Sequence, residues 1–203
     1  MEPQGASIAI VDYGAGNLTS VKNAFAALGI ETVVTRDPAV VAAAARVVFP
    51  GVGAALSAME SLRSLGLEDA VKSAAASGRP FLGICLGMQI LFEHSEEDGG
   101  VDTLGILSGR VRRFPKVPGV KVPQIGWNSV AAASAAAEPF DREFYYFVHS
   151  YYAEKTADTA LTAEYAGVEF SAMVRRGNLW ACQFHPEKSG RAGLKLLSDW
   201  LSI

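Results

Sequence analysis

Residues Pro80 to Ile84 form a nearly continuous apolar run that leads directly into Cys85, after which Leu86 to Phe92 takes up helical spacing. A strand this apolar is buried on both faces, as in a parallel sheet covered by helices on each side. Gly83 and Gly87 flank the cysteine and permit a sharp turn, so Cys85 is expected at a strand-to-helix elbow.

The first half of the chain carries the matching rhythm. Short β-branched runs at Ser7 to Val11, Glu31 to Thr35 and Arg46 to Phe49 alternate with alanine-rich stretches of helical period, a βαβ pattern. Asn17 is placed to cap a helix over Leu18 to Leu28 with Gly29 as its stop, and Asp37-Pro38 opens the next. After about Gly99 the texture changes to Val, Thr, Tyr and Phe runs broken by Gly, Pro and Asn, with a hairpin turn expected at Arg176-Gly177-Asn178. Antiparallel strands should dominate there. A last helix over Ser189 to Leu201 would place Leu194, Leu197 and Leu201 on one face.

No linker or repeat divides the 203 residues, half of which are apolar, so one domain over 1–203 with its core from about residue 6 is expected. Lys and Arg number 18 against 21 Asp and Glu, and this balance argues against nucleic acid or an anionic membrane as partner. The first residues lack a basic region followed by an apolar stretch, and no run is long enough to span a bilayer; a soluble, cytoplasmic protein is expected. Its two cysteines, Cys85 and Cys182, are too few for a disulfide framework and read as free thiols.

Gly83-Ile84-Cys85-Leu86-Gly87 repeats, with cysteine, the GxSxG elbow of serine hydrolases. At a helix start the macrodipole favours thiolate over thiol, and the Leu86 amide is free to serve an oxyanion. The bland alternative is a buried, inert cysteine. A nucleophile needs a base, and of His94, His149 and His185 the last has the best context: it ends the run Leu179 to Phe184 and precedes Pro186, which favours extended backbone. In extended backbone, residues two apart face the same way, so Glu187 can orient the imidazole. A strand-end histidine beside a solvated glutamate is the competing reading.

His94 is expected at an exposed helix end with no role, and His149 as a packed strand histidine that can still lie near the site. Pro50-Gly51-Val52-Gly53 follows a buried strand and offers backbone amides that could complete an oxyanion hole, or is an ordinary turn. Tyr13-Gly14-Ala15-Gly16-Asn17 is not a dinucleotide loop, because Thr19 occupies the position of the third glycine. Gln89, Glu93 and Glu97 recur every four residues and could share a helix face; Gln89 is near enough to the nucleophile to touch an amino-acid substrate.

GICLGMQ (83–89), PGVG (50–53) and CQFHPEKSG (182–190) together resemble the class I (triad) glutamine amidotransferases, over nearly the whole chain. VDYGAGNLTSV near the start, GWN (126–128) and FVHSY (147–151) look like the glutaminase subunits of bacterial imidazole glycerol phosphate synthase. The resemblance implies a flavodoxin-like, three-layer α/β fold: a mostly parallel central sheet flanked by helices, with an additional antiparallel section. It implies a Cys85, His185, Glu187 triad that releases ammonia from glutamine. Oxyanion donors would come from Leu86 and the Val52-Gly53 loop, and Gln89 and Glu97 would contact the polar end of glutamine. No cofactor or metal is implied. Ammonia would pass to a cyclase subunit in a heterodimer, with Asn17, Trp127, Tyr146 and Lys188 at the interface. Two rivals stand beside this: a glutaminase serving another synthase, and a zinc-binding module using Cys182, His185 and either Cys85 or His149.

Overall fold

A computed structural model describes residues 8–203; the expected strand start at Ser7, the core boundary near residue 6 and the segment read for a leader lie outside the described residues. The chain begins with β1 (Ile8–Val11), α1 (Leu18–Ala27), β2 (Thr32–Thr35), α2 (Pro38–Ala43), β3 (Arg46–Gly51), α3 (Ala55–Ser64), α4 (Leu67–Ala76) and β4 (Phe81–Cys85). The expected caps are present: Asn17 Oδ1 accepts from Ser20 N at 3.2 Å, and Asp37 Oδ1 accepts from Ala39 N at 2.8 Å ahead of α2, which Pro38 begins.

There follow α5 (Leu86–Gln89), β5 (His94–Ser95), β6 (Val101–Asp102), β7 (Arg110–Arg113), β8 (Gln124–Ser129), β9 (Ala131–Ala132) and β10 (Phe144–His149). The last elements are β11 (Tyr151–Ala153), β12 (Thr159–Tyr165), β13 (Val168–Arg176), β14 (Leu179–Cys182) and α6 (Gly190–Leu201). Strands β2, β1, β3, β4 and β14 lie side by side in that order, every neighbouring pair parallel. From β14 the sheet continues into antiparallel β13 and β11 and then β7, β5 and β6, with β12 on β13 and β9 on β12; β8 and β10 form a separate antiparallel ribbon.

Alternation along the parallel strands divides the core into two layers. Ile8, Ile10, Val48, Leu82 and Ile84 pack with Phe25 of α1 and Leu196, Leu197 and Trp200 of α6. Ala9, Val11, Val47, Phe49 and Phe81 pack instead with Val41 of α2, Met59 and Leu62 of α3 and Val71 of α4. Both faces of the sheet are therefore apolar and helix-covered, which is why these strands read as uninterrupted hydrophobic runs.

Two expectations need correction. The α-helix after Cys85 stops at Gln89, short of Phe92: the chain tightens into bonds three residues back, Leu91 N to Met88 O at 3.1 Å and Phe92 N to Gln89 O at 3.3 Å, while the carbonyls of Ile90, Leu91 and Phe92 accept from the loop at 104–107. His94 is accordingly not at a helix end but in strand β5, opposite Asp102, with Nδ1 2.9 Å from that carboxylate. In α6 Leu194, Leu197 and Leu201 pack against one core layer, as expected, around a buried face centred on Gly193, Leu196, Leu197 and Trp200. The hairpin lies where expected, Arg176 pairing with Leu179 across Gly177-Asn178.

Register fixes where the chemistry gathers. Cys182 of β14 pairs with Ile84 of β4, so the two chains leave the sheet side by side, one carrying Cys85 and the other Gln183 to Glu187. Gly51 pairs with Cys85 and brings the end of β3 to the same rim. Carboxyl ends of parallel strands are where open α/β sheets place their ligands.

Candidate active site

Cys85 ends β4 with φ 55° and ψ −111°, a backbone conformation that L residues rarely hold and that typically costs about 1–3 kcal/mol. Close packing sustains it. A Cβ added at Gly87 would lie 1.9 Å from Phe49 O, and one at Gly83 would meet Ala181 Cβ at 3.0 Å and Gly87 O at 3.1 Å. The short α5 is thus laid directly on the ends of β3 and β4, and the cysteine side chain turns out of the sheet toward a cavity of about 330 Å³.

His185 and Glu187 follow β14, with His185 N bonded to Tyr146 O at 2.9 Å. The His185 backbone is extended, at φ −100° and ψ 97°, and Glu187 Oε1 lies 2.7 Å from His185 Nδ1; both side chains are 2% exposed. Burial works against a charged imidazole here, yet the proximity of Cys85 and Glu187 outweighs it and raises His185 well above the ordinary histidine value. Nε2, the nitrogen on the far side of the ring from Glu187, is buried without a well-formed hydrogen bond. Glu187 holds one nitrogen and leaves the other for a proton exchanged at the cavity.

Val52, Gly53, Cys85, Leu86, Gln89, Glu97 and His185 all line this cavity, as sequence reasoning expected for one site. Glu187 stands behind His185, outside the lining. The common helix face expected for Gln89, Glu93 and Glu97 does not exist, since α5 ends at Gln89. Glu97 arrives by another route, on a 3-10 turn, where its Oε2 accepts from Ala55 N at 2.7 Å at the start of α3. Burial raises the Glu97 carboxyl and this bond partly counters the shift. Glu93 instead accepts from Gly109 N at 2.9 Å, apart from the cavity lining. The Leu86 amide opens α5 and so precedes any intrahelical partner.

His149 also lines the cavity, joined by Pro123, Val148, Ser150 and Tyr151, none of which sequence reasoning had assigned to the site. Burial foremost, with the nearby His185, lowers His149 to about 4, against the opposing effect of its bond to Tyr151 O at 2.7 Å. It is therefore a neutral part of the wall at pH 7. Gln183, fully buried, lies between Cys85 and Gln89 and was missed although alternation back from His185 points to it.

Cys182 packs in the core with Sγ 3.7 Å from Gly83 O, and burial pushes its thiol up, which leaves it a poor ligand and a poor nucleophile. Among the described residues no group of three or more His, Cys, Asp or Glu is placed to hold a metal ion. No helix among them is long and apolar enough to cross a membrane.

Of the four interface candidates, three gather on the outer side of the β8–β10 ribbon. Trp127 is 57% exposed and meets Tyr146 edge-on with centroids 6.2 Å apart, and Lys188 Nζ stands 5.9 Å from the Tyr146 ring. Asn17 is at the exposed cap of α1.

The model of the family described as glutamine amidotransferase class-I matches residues 9–202. A protein of Aromatoleum aromaticum named imidazole glycerol phosphate synthase subunit HisH is 52% identical, with 96% of this chain and 97% of that one covered. One of the same name from Methanothermobacter thermautotrophicus is 47% identical over 97% of this chain and 98% of its own. Among solved structures, one titled crystal structure of glutamine amidotransferase has a TM-score of 0.74 at 20% identity, covering 96% of this chain and 99% of that chain. Another, titled structure of PurLQS from Thermotoga maritima, has a TM-score of 0.73 at 18% identity and covers 98% and 99%.

Proposed function

Because the chain belongs to the class I glutamine amidotransferases, we propose that it is the glutaminase subunit of an imidazole glycerol phosphate synthase, working in the cytoplasm as a single amidotransferase domain. It hydrolyses glutamine to glutamate and ammonia and supplies the ammonia to a cyclase subunit, in histidine biosynthesis. The observation that carries this reading is the rim where β3, β4 and β14 end: an elbow cysteine, a histidine raised by it, and a buried glutamate on that histidine's other nitrogen.

Cys85 Sγ adds to the side-chain amide carbon of glutamine. The carbonyl oxygen becomes an oxyanion held by the Leu86 amide and the Val52-Gly53 loop, and one missing donor typically costs about 100- to 1,000-fold in rate. His185 Nε2 gives its proton to the departing nitrogen, ammonia leaves, and a glutamyl thioester remains on Cys85. A water that yields a proton to His185 then attacks the thioester, and collapse of the second oxyanion returns glutamate and the thiolate. Glu187 keeps the imidazole oriented and compensates its charge throughout. Gln89 and Glu97, which line the cavity, take the amino and carboxyl end of the substrate in this reading, and Glu97 as a carboxylate suits the ammonium.

Exposed Ile125, Trp127 and Phe144 on the β8–β10 ribbon suit a docking face, with Asn17, Tyr146 and Lys188 as its polar contacts to the cyclase. The test is glutamate release from glutamine by the protein alone and mixed with the cyclase subunit and its nucleotide substrate, with Cys85→Ala as control. Release that rises with that partner and vanishes in the variant is expected. Release indifferent to the partner would assign the glutaminase to another synthase, and none at all would refute the enzymatic reading.

A further inference from the structure

Gln183 joins the nucleophile to the wall of the cavity, and no step of the triad chemistry accounts for it. Its residue has no exposed surface, and its backbone N is fixed to Ala172 O at 2.8 Å. Gln183 Oε1 accepts from Gln89 Nε2 at 2.9 Å, while Gln183 Nε2 donates to Cys85 Sγ at 3.8 Å. Gln89 Nε2 donates also to Tyr151 O at 2.8 Å.

The far end of this chain determines its polarity. A backbone carbonyl can only accept, so Gln89 must turn its NH2 to Tyr151 O. The same NH2 group reaches Gln183, which must therefore present oxygen there and keep its own NH2 for the sulfur. With both hydrogens of Gln89 committed, its carbonyl oxygen is left to the cavity that Gln89 lines. Two carboxamides, aligned head to tail, thus connect an acceptor at the cavity to the Cys85 sulfur.

We propose that Gln183 is a positioning residue that holds the Cys85 sulfur as thiolate and ties it to Gln89 on the substrate wall; the second half rests on the glutaminase reading. A hydrogen bond to an anion is markedly stronger than one to a neutral acceptor, and a thiol is a weak acceptor, so this donor favours the thiolate. The titratable groups around the sulfur are Tyr13 beyond β1, Cys182 at the end of β14, His185 with Glu187 behind it, and, on the wall of the same cavity, Glu97 and His149, the latter lowered to about 4 by burial and so neutral at pH 7. Of these His185 alone can bring a positive charge, and Gln183 adds a neutral donor that persists when the imidazole loses its proton. The bond also limits where the sulfur can swing, since the carboxamide is itself held by Gln89.

The experiment replaces Gln183 by Met, similar in length and without a donor, and by Leu, shorter and likewise without a donor. Alkylation of Cys85 by iodoacetamide is followed across pH by peptide mass spectrometry, and kcat and KM for glutamine are measured beside thermal stability. In Gln183→Met the alkylation profile moves to higher pH by about one unit and alkylation at neutral pH falls about tenfold, as expected for losing a hydrogen bond to a charged group. kcat falls comparably and KM changes by less than about threefold. Gln183→Leu shifts the profile the same way, since it too lacks the donor and adds no charge, and it carries the test if the Met variant does not fold. A folded variant whose alkylation profile matches the parent overturns the proposal, including one that merely melts lower, because a packing role alone would do that. Alkylation needs no substrate, so a parent protein that fails to hydrolyse glutamine strikes the glutaminase reading and leaves the thiolate claim to be judged by the profile.

Discussion

Alanine at Gly87 would drive a methyl group into the end of β3: the added Cβ lies 1.9 Å from Phe49 O and 2.9 Å from its carbonyl carbon. Carbon and oxygen settle at about 3.3–3.6 Å, so the gap must open by more than about 1 Å. β3 cannot give way, being paired to β1 on one side and β4 on the other. The strain falls on α5 and on the Cys85 turn it continues. Overpacking against flexible side chains costs about 1–3 kcal/mol, and against backbone the upper end applies, about 3 kcal/mol. For a chain of this size that lowers Tm by about 6–12 °C. Gly83→Ala meets contacts at 3.0 Å with Ala181 Cβ and at 3.1 Å with Gly87 O and Leu91 Cδ1, needs adjustments of a few tenths of an ångström, and should cost about 1 kcal/mol, or about 2–4 °C. Thermal melts followed by circular dichroism, with iodoacetamide alkylation of Cys85 beside them, measure both the cost and the displaced nucleophile. A Gly87→Ala protein melting within about 2 °C of the parent, or a larger loss in Gly83→Ala, would refute this account of the elbow.

Glu187→Gln keeps a hydrogen-bonding group 2.7 Å from His185 but removes the charge that supports the imidazolium; kcat for glutamate release should fall by roughly two to four orders of magnitude with KM little changed, and a loss under about tenfold would contradict the orienting role. The two cavity histidines should confine stability from opposite sides. His149, lowered to about 4 in the fold, is bound to more protons when unfolded, so its contribution is lost as pH falls from 6.5 toward 4. His185, raised in the fold, contributes fully below 6.5 and loses that contribution as pH rises through its folded value. Urea unfolding at pH 7 and 4.5 should accordingly show a smaller difference in His149→Gln than in the parent, by about 2–3 kcal/mol, and an equal difference would oppose the assignment. Trp127→Ala, at a 57% exposed position, should leave Tm within about 1 °C yet weaken cyclase binding about tenfold or more; unchanged binding by calorimetry would remove Trp127 from the interface.

Much of the layer architecture could be read from the sequence, because buried parallel strands are apolar on both faces and Ile8 to Val11, Arg46 to Phe49 and Phe81 to Ile84 carry that pattern locally. The elbow was legible for the same reason: Gly83 and Gly87 mark close backbone approach in the sequence itself. What local pattern could not reveal were outcomes decided by distant partners. Leu86 to Phe92 has helical spacing throughout, yet its last residues tighten into bonds three residues back and turn their carbonyls to the loop at 104–107, which ends the α-helix at Gln89. Glu97 was placed beside Gln89 by a helical period that does not hold, and reaches the cavity because Ala55 at the head of α3 captures its carboxylate. His149 could be read as a packed strand residue, but its contact with the cavity depends on how the β8–β10 ribbon sits over His185. Gln183 is different: alternation from His185 would have found it, and it stayed unassigned because a buried glutamine carries no charge to suggest chemistry.

The central claim, that Cys85 is the nucleophile of a glutamine site, is tested most directly by labelling. The intact protein is treated with an electrophilic glutamine analogue bearing a reactive ketone in place of the side-chain amide, with and without excess glutamine, and the modified peptide is identified by mass spectrometry. One label per chain, on Cys85, suppressed by glutamine and absent in His185→Asn, is the expected result. Labelling of Cys182, or labelling of Cys85 that glutamine does not prevent, would contradict it.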